Sequence, residues 1–213
     1  MREPRLLGRA AGEETVSVKL VSDSERILIE RLSQFYIYDF SELEPLGSNE
    51  FEFDEQGGYS PLRGIDRYWR VEGFRTLLIR VKDRLAGFAL VDIRSRHGGR
   101  AEHNMAEFFV ARKHRRRGVG TEAVRQILAR YPGLWEIAVV ERNFAARAFW
   151  TRAIGAAPNV SGLVQTEGDS EYWRGPIWSF RSVTDDTRAD RCVMRWGCAG
   201  TIHSVGASGG RQR

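Results

Sequence analysis

The chain has 213 residues, 42% hydrophobic and 29% charged, a formal net charge of +5 and two cysteines. That length and balance suit one globular domain with short extensions. The longest unbroken apolar run, Leu85 to Val91, is too short to span a bilayer, and Met1 to Arg5 opens no signal-peptide segment, so a cytoplasmic protein without membrane contact is expected. Cys192 and Cys198 lie far along the chain and imply no disulfide framework; with His203 they make a poor zinc signature, and no metal is expected. Arg112, Lys113, Arg115, Arg116 and Arg117 carry five positive charges, as many as the whole net charge. The positive balance is therefore one patch, which suits a localised anion better than a face laid along nucleic acid.

In chain order, residues 1–14 lack periodicity and read as a flexible leader before a domain over 15–184. Val16, Val18 and Leu20 alternate with polar neighbours as a first strand. Ser22 or Asp23 can cap a helix that carries Ile27, Leu28, Leu32, Phe35 and Tyr36 and runs into Tyr38. Between Leu32 and Leu62 no Lys or Arg occurs, while Asp39, Glu42, Glu44, Glu50, Glu52, Asp54 and Glu55 supply seven acids among aromatic residues. Pro61 to Arg70 can form a short helix. Thr76–Val81 and Leu85–Ile93, separated by Lys82-Asp83-Arg84, read as a hairpin.

His103 to Ala111 is the next strand and leads into a basic, glycine-containing loop. Val119, Ala123, Val124, Ile127 and Leu128 then recur at helical spacing until Pro132-Gly133. Gly118 and Gly120 allow close backbone approach, and the free N–H groups of a helix's first turn attract anions. Strand end, glycines and helix start together describe a cradle for a phosphate or pyrophosphate. Trp135 to Val140 is another strand, Asn143 to Ile154 a helix ending at Gly155, and Tyr172 to Phe180 a last strand whose Gly175-Pro176 suits an edge or a bulge. Residues 185–213 lose periodicity and read as a disordered tail.

Arg115-Arg116-Arg117-Gly118-Val119-Gly120 fits the Arg/Gln-x-x-Gly-x-Gly/Ala signature of the GNAT superfamily of acyl-CoA-dependent N-acyltransferases. Val110 five residues before Arg115, the helix that follows, the Trp135 strand and Asn143-x-x-Ala146-x-x-x-Trp150 strengthen the resemblance over roughly residues 15 to 182. In Glu-Phe-Phe-Val and Phe-Trp the chain resembles bacterial members known only as predicted acetyltransferases. The resemblance implies an α+β fold with a mixed, mostly antiparallel central sheet and helices on both faces. It implies acetyl-CoA as co-substrate, its pyrophosphate held by backbone N–H groups across Arg115, Arg116, Arg117, Gly118, Val119, Gly120 and Thr121. It further implies a bulge near Phe109, Val110 and Ala111 where the strand leaves its neighbour to admit pantetheine, with Asn143 and Trp150 beside the cofactor.

The implied reaction is direct attack of a primary amine on the thioester. Glu107, through water, is the first candidate for the amine proton, and His103 the second. A solvated strand carboxylate is the plain alternative for Glu107. Many members place a tyrosine where this chain has Trp150, and an indole is no useful acid; water or another residue then protonates the thiolate, or it leaves unaided, with Tyr172 either a substitute acid or a core or edge aromatic. The acidic segment lies where superfamily members build a wall of the acceptor cleft, which implies a cationic small-molecule amine or a lysine-rich protein segment; an ordinary solvated loop is the plain alternative. A basic-loop module binding nucleic acid or a phosphate ligand without catalysis is the alternative reading, and a homodimer stays open. His97 and His114 read as loop residues.

Overall fold

A computed structural model describes residues 15–184, apart from 46, 47, 49, 97, 99, 100, 171 and 172. The leader 1–14, the tail 185–213 with both cysteines, His97 and Tyr172 lie outside the described residues. Seven strands form one sheet in the order β1-β2-β3-β4-β5-β7-β6. They are β1 (Val16–Leu20), β2 (Arg75–Val81), β3 (Arg84–Asp92), β4 (His103–Val110), β5 (Gly133–Ala138), β6 (Val160–Asp169) and β7 (Arg174–Ser182). All neighbours are antiparallel except β4 and β5. Three helices, α1 (Arg26–Ser41), α2 (Val119–Arg130) and α3 (Phe144–Gly155), complete the α+β fold.

Side chains alternate across the strands, and the helices take the two faces accordingly. Leu78, Phe88, Leu90 and Phe109 meet Ile29 of α1 on one face. Leu77, Ala89, Met105, Trp135, Ile137 and Trp178 meet Val124, Ile127 and Leu128 of α2 and Trp150, Ala153 and Ile154 of α3 on the other. Ser22 and Glu25 form a capping box on the 3-10 turn Asp23–Glu25 that leads into α1, with the Ser22 N–H donating to the Glu25 carboxylate at 3.1 Å. The buried line of α1 is Ile29, Ser33 and Ile37, flanked by Leu28, Leu32 and Tyr36. Ile27 and Phe35, expected on that stripe, are 46% and 62% exposed, because the helix turns Ser33 inward where its hydroxyl bonds the Glu30 carbonyl at 2.8 Å. Among the described residues no helix is long and apolar enough to cross a membrane.

Two further expectations are corrected. Strand β6 has no counterpart in the sequence pattern, because it is paired on one side only and mostly exposed, so no burial signal marks it. Strand β7 is therefore interior, between β5 and β6. Pro176 is tolerated there because it follows the end of β5 in space: its carbonyl accepts the Val139 N–H at 3.0 Å, beyond the last β5 pair, Ala138 with Ile177.

The β2–β3 turn is Lys82-Asp83 alone, with φ of 48° and 63°, and Arg84 already pairs with Val81. Two consecutive positive φ values define a type I′ turn, which favours Asn-Gly. Lys82→Asn combined with Asp83→Gly is expected to raise stability by about 1 kcal/mol in urea unfolding at unchanged m-value. A loss of stability would contradict this turn geometry.

Candidate active site

Strands β4 and β5 pair only through His103–Trp135, Asn104–Glu136 and Met105–Ile137. Beyond Met105, β4 keeps its pairing with β3 alone. The register with β3 slips at this point: Val91 faces Met105 while Leu90 faces Glu107, leaving Ala106 as the extra residue. The bulge thus precedes the position expected at Phe109 to Ala111. A bulge bends its strand and turns two successive side chains to one side. Ala106 packs against the cluster under α1, and the adjacent Glu107 carboxylate accepts the Tyr36 phenol proton of that helix. Further along, the Ala111 N–H bonds the Ala86 carbonyl at 2.8 Å, so alternation turns the Val110 N–H to the side that β5 has left.

Glu107 is the electrostatically unusual group. Burial raises its carboxyl to about 7; the Tyr36 hydrogen bond and the Arg96 and Arg94 charges oppose this, and Asp92 adds to it. Burial beside this carboxylate also holds the Tyr36 phenol well above its ordinary range. Nearby, the fully buried Asp92 accepts from the Tyr68 hydroxyl at 2.9 Å, Asn104 Nδ2 at 2.8 Å and Arg94 Nε at 2.6 Å. His103 does not join this group. It lies on the other face of β4, its Nε2 3.2 Å from the Pro132 carbonyl oxygen and its ring against Trp135, and burial lowers its pKa.

The basic loop closes one end of the opening. Arg115 Nε donates to the Val110 carbonyl at 2.6 Å, its guanidinium also bonds Asp39, and Arg112 meets the same carboxylate at 2.8 Å. Arg116 at φ 59° and Gly118 at φ 80° are left-handed, which turns the chain into α2. Gly118 caps α2 without a side-chain hydrogen bond, so the first-turn N–H groups at Val119, Gly120 and Thr121 have no side-chain cap. These donors, flanked by Lys113, Arg116 and Arg117, fit a pyrophosphate.

Several of the expected contact residues also have structural roles. A Cβ on Gly120 would lie 3.0 Å from Phe149 Cε2, so this glycine makes room for α3 while its N–H stays among the first-turn donors. Phe109, Val110 and Val119 are buried by their side chains and can offer only backbone, while Ala111 packs beside Phe109. Asn143 caps α3 by accepting the Ala146 N–H at 2.9 Å. Trp150 is 5% exposed, packed edge-on to Phe108 and Phe149 in the core. Among the described residues, three of the seven acids of the acidic segment have structural partners: Asp39 pairs with two arginines, Glu44 with Arg142 at 3.5 Å, and Asp54 accepts the Gln56 and Gly58 N–H groups. Asp92 and Asn104 went unmarked in the sequence, and Tyr36 entered only as an apolar helix position; a lone acid closing the apolar run of β3 was the one available sign.

A family model described as the acetyltransferase (GNAT) family matches residues 40–156. Among solved structures, an acetyltransferase from Thermus thermophilus is 14% identical with a TM-score of 0.54, over 80% of this chain and 99% of that one. A GNAT-family protein from Bacteroides thetaiotaomicron is 13% identical with a TM-score of 0.51, over 84% of this chain and 94% of that one. At such identities the likeness is one of fold. No curated protein sequence matches the chain.

The loop geometry makes Gly118 a test position. At its φ of 80° a β-branched side chain is strained although no atom blocks it. Gly118→Val is expected to weaken CoA binding by at least about tenfold in calorimetry while the folded signal persists. Unchanged affinity in the folded variant would remove this loop from the binding site.

Proposed function

The chain belongs to the acetyltransferase (GNAT) family, and from that premise we propose that it transfers acetyl from acetyl-CoA to a primary amine by direct attack, with Glu107 taking the amine proton. The observation that carries this reading is a half-buried carboxylate, raised to about 7, beside the opening between β4 and β5. A base poised near neutrality can accept a proton from an attacking amine at working pH.

Acetyl-CoA supplies the activated acyl carbon when bound; the remaining tasks fall to the chain. The first-turn N–H groups of α2, with Arg116 and Arg117 beside them, would hold its pyrophosphate. The Val110 N–H faces the opening and is placed to stabilise an oxyanion. Tyr36 holds one oxygen of the Glu107 carboxylate and leaves the other for the amine. Proton transfer converts carboxylate to carboxylic acid as the new C–N bond forms and the C–S bond breaks. The thiolate leaves without an acid at Trp150, which is tolerable because a thiol is far more acidic than an alcohol. Nucleic-acid binding gains no support, since Asp39 neutralises part of the basic run.

The pH dependence tests the base. Only ionised Glu107 can accept the proton, so kcat/KM is expected to fall about tenfold per pH unit below its pKa of about 7. Glu107→Gln should remove that limb and lower the rate by about 10²- to 10³-fold. Tyr36→Phe removes a hydrogen bond that favours the ionised carboxylate and should move the limb upward. An unchanged acid limb in folded Glu107→Gln would assign the base elsewhere.

A further inference from the structure

Opposite Tyr36 and Glu107, Ser95 and Arg96 after β3 stand on a second wall of the opening. Glu136, 4% exposed, lies on β5 and faces Asn104 across the short parallel pair. Its carboxylate accepts the Ser95 hydroxyl at 2.6 Å and the Arg96 backbone N–H. The chain at Arg96 is thereby pinned beside the point where β4 and β5 part. From there the side chain reaches Trp173 in the β6–β7 turn, placing the guanidinium carbon 5.1 Å from the ring centroid. That turn lies against the far end of β5, since the Glu141 N–H bonds the Arg174 carbonyl at 3.1 Å. The Arg96 charge therefore stands on the β5 side of the opening and Glu107 on the β4 side, and that charge is among those that draw the Glu107 carboxyl down.

The arginines around this site are committed to acids: Arg94 to Asp92, Arg112 and Arg115 to Asp39, Arg142 to Glu44, and Arg147 to Glu167. Arg96 has no such ion pair among the described residues. A guanidinium laid on an indole keeps the donors along its edge, and that planar fork matches a carboxylate bidentately. A single fork suits a carboxylate better than a phosphate, for which the chain offers clustered bases and helix N–H groups at α2. We propose that Arg96, stacked on Trp173, binds a carboxylate of the acceptor, which makes the acceptor a small molecule of the amino-acid class with its amine at Glu107 and its carboxylate at Arg96. This rests on the amine-acetylation reading above and stands in place of the expectation of a cationic acceptor; of the acids that suggested one, Asp39 and Glu44 are paired with arginines.

The test compares L-amino acids with their amides, and with phosphoethanolamine, in thiol-release assays on the full chain and an Arg96→Gln variant. The ratio of kcat/KM for acid over amide is expected to fall at least about tenfold in the variant, through the KM of the acid, with the KM of acetyl-CoA unchanged. Comparing ratios between the two proteins cancels the different basicity of the amines. Arg96→Lys should recover part of the loss, because charge survives without the fork. An unchanged ratio, or a preference for phosphoethanolamine that Arg96→Gln abolishes, would overturn the carboxylate assignment while leaving amine acetylation intact. Calorimetry of amino acids with the CoA-loaded protein separates the two claims. Binding lost in Arg96→Gln without turnover of any amine would support the subsite and overturn the acetylation reading; no binding of any amino acid to the unaltered protein would overturn the subsite.

Discussion

Two parallel strands that pair over three residues and then part set the plan of this molecule. Had β4 and β5 stayed paired, the middle of the sheet would be closed and Glu107 would face an ordinary core. The bulge at Ala106 redirects β4 at the place where the pairing ends. It also leaves backbone polar groups of β4 facing an internal gap, and such groups need partners. Arg115 meets one, the Val110 carbonyl. A ligand laid along the gap can meet others, which is how one irregularity in pairing becomes a binding site.

The carboxylates around that gap are treated differently, and the difference assigns their roles. Asp92 is buried but receives three side-chain donors, one of them an arginine. Glu136 is buried with a hydroxyl and a backbone N–H upon it. Glu107 has the Tyr36 phenol and the more distant fields of two arginines. Desolvation wins at Glu107, which suits the proton exchange proposed for it. Asp92 and Glu136 hold the chain from Arg94 to Arg96 in place.

The basic loop shows the same economy. Asp39, at the last turn of α1, takes two of its arginines and so ties the loop to the helix that also supplies Tyr36. The side chains of Val110 and Val119 are buried with Ile79 and Val81, which fixes the strand end and the helix start around the turn. Backbone donors are thereby held rigidly while side chains supply charge. Movement of α1 would be felt at both ends of the opening.

The hairpin and α2 with its preceding loop were legible before any coordinates, because strand alternation, helical spacing and glycines beside a basic run are written in neighbouring residues. The fold class came through the family resemblance that those residues carry, as did Glu107 as first candidate for the base, a role that stays a proposal. Strand β6 was illegible because an edge strand open on both faces carries no burial signal. The turn of α1 that buries Ser33 and exposes Phe35 depends on the sheet beneath it. Gly120 read as room for a ligand; that Phe149, from another helix, also needs the space was not legible. Tyr36 was one more apolar position until the bulge aimed Glu107 at it. Arg96 and Trp173 meet only because β7 inserts between β5 and β6. Periodicity records which side of an element is buried, whereas the point at which two strands separate, and the side chains that then face each other across the gap, are fixed by long-range pairing and packing that no local pattern encodes.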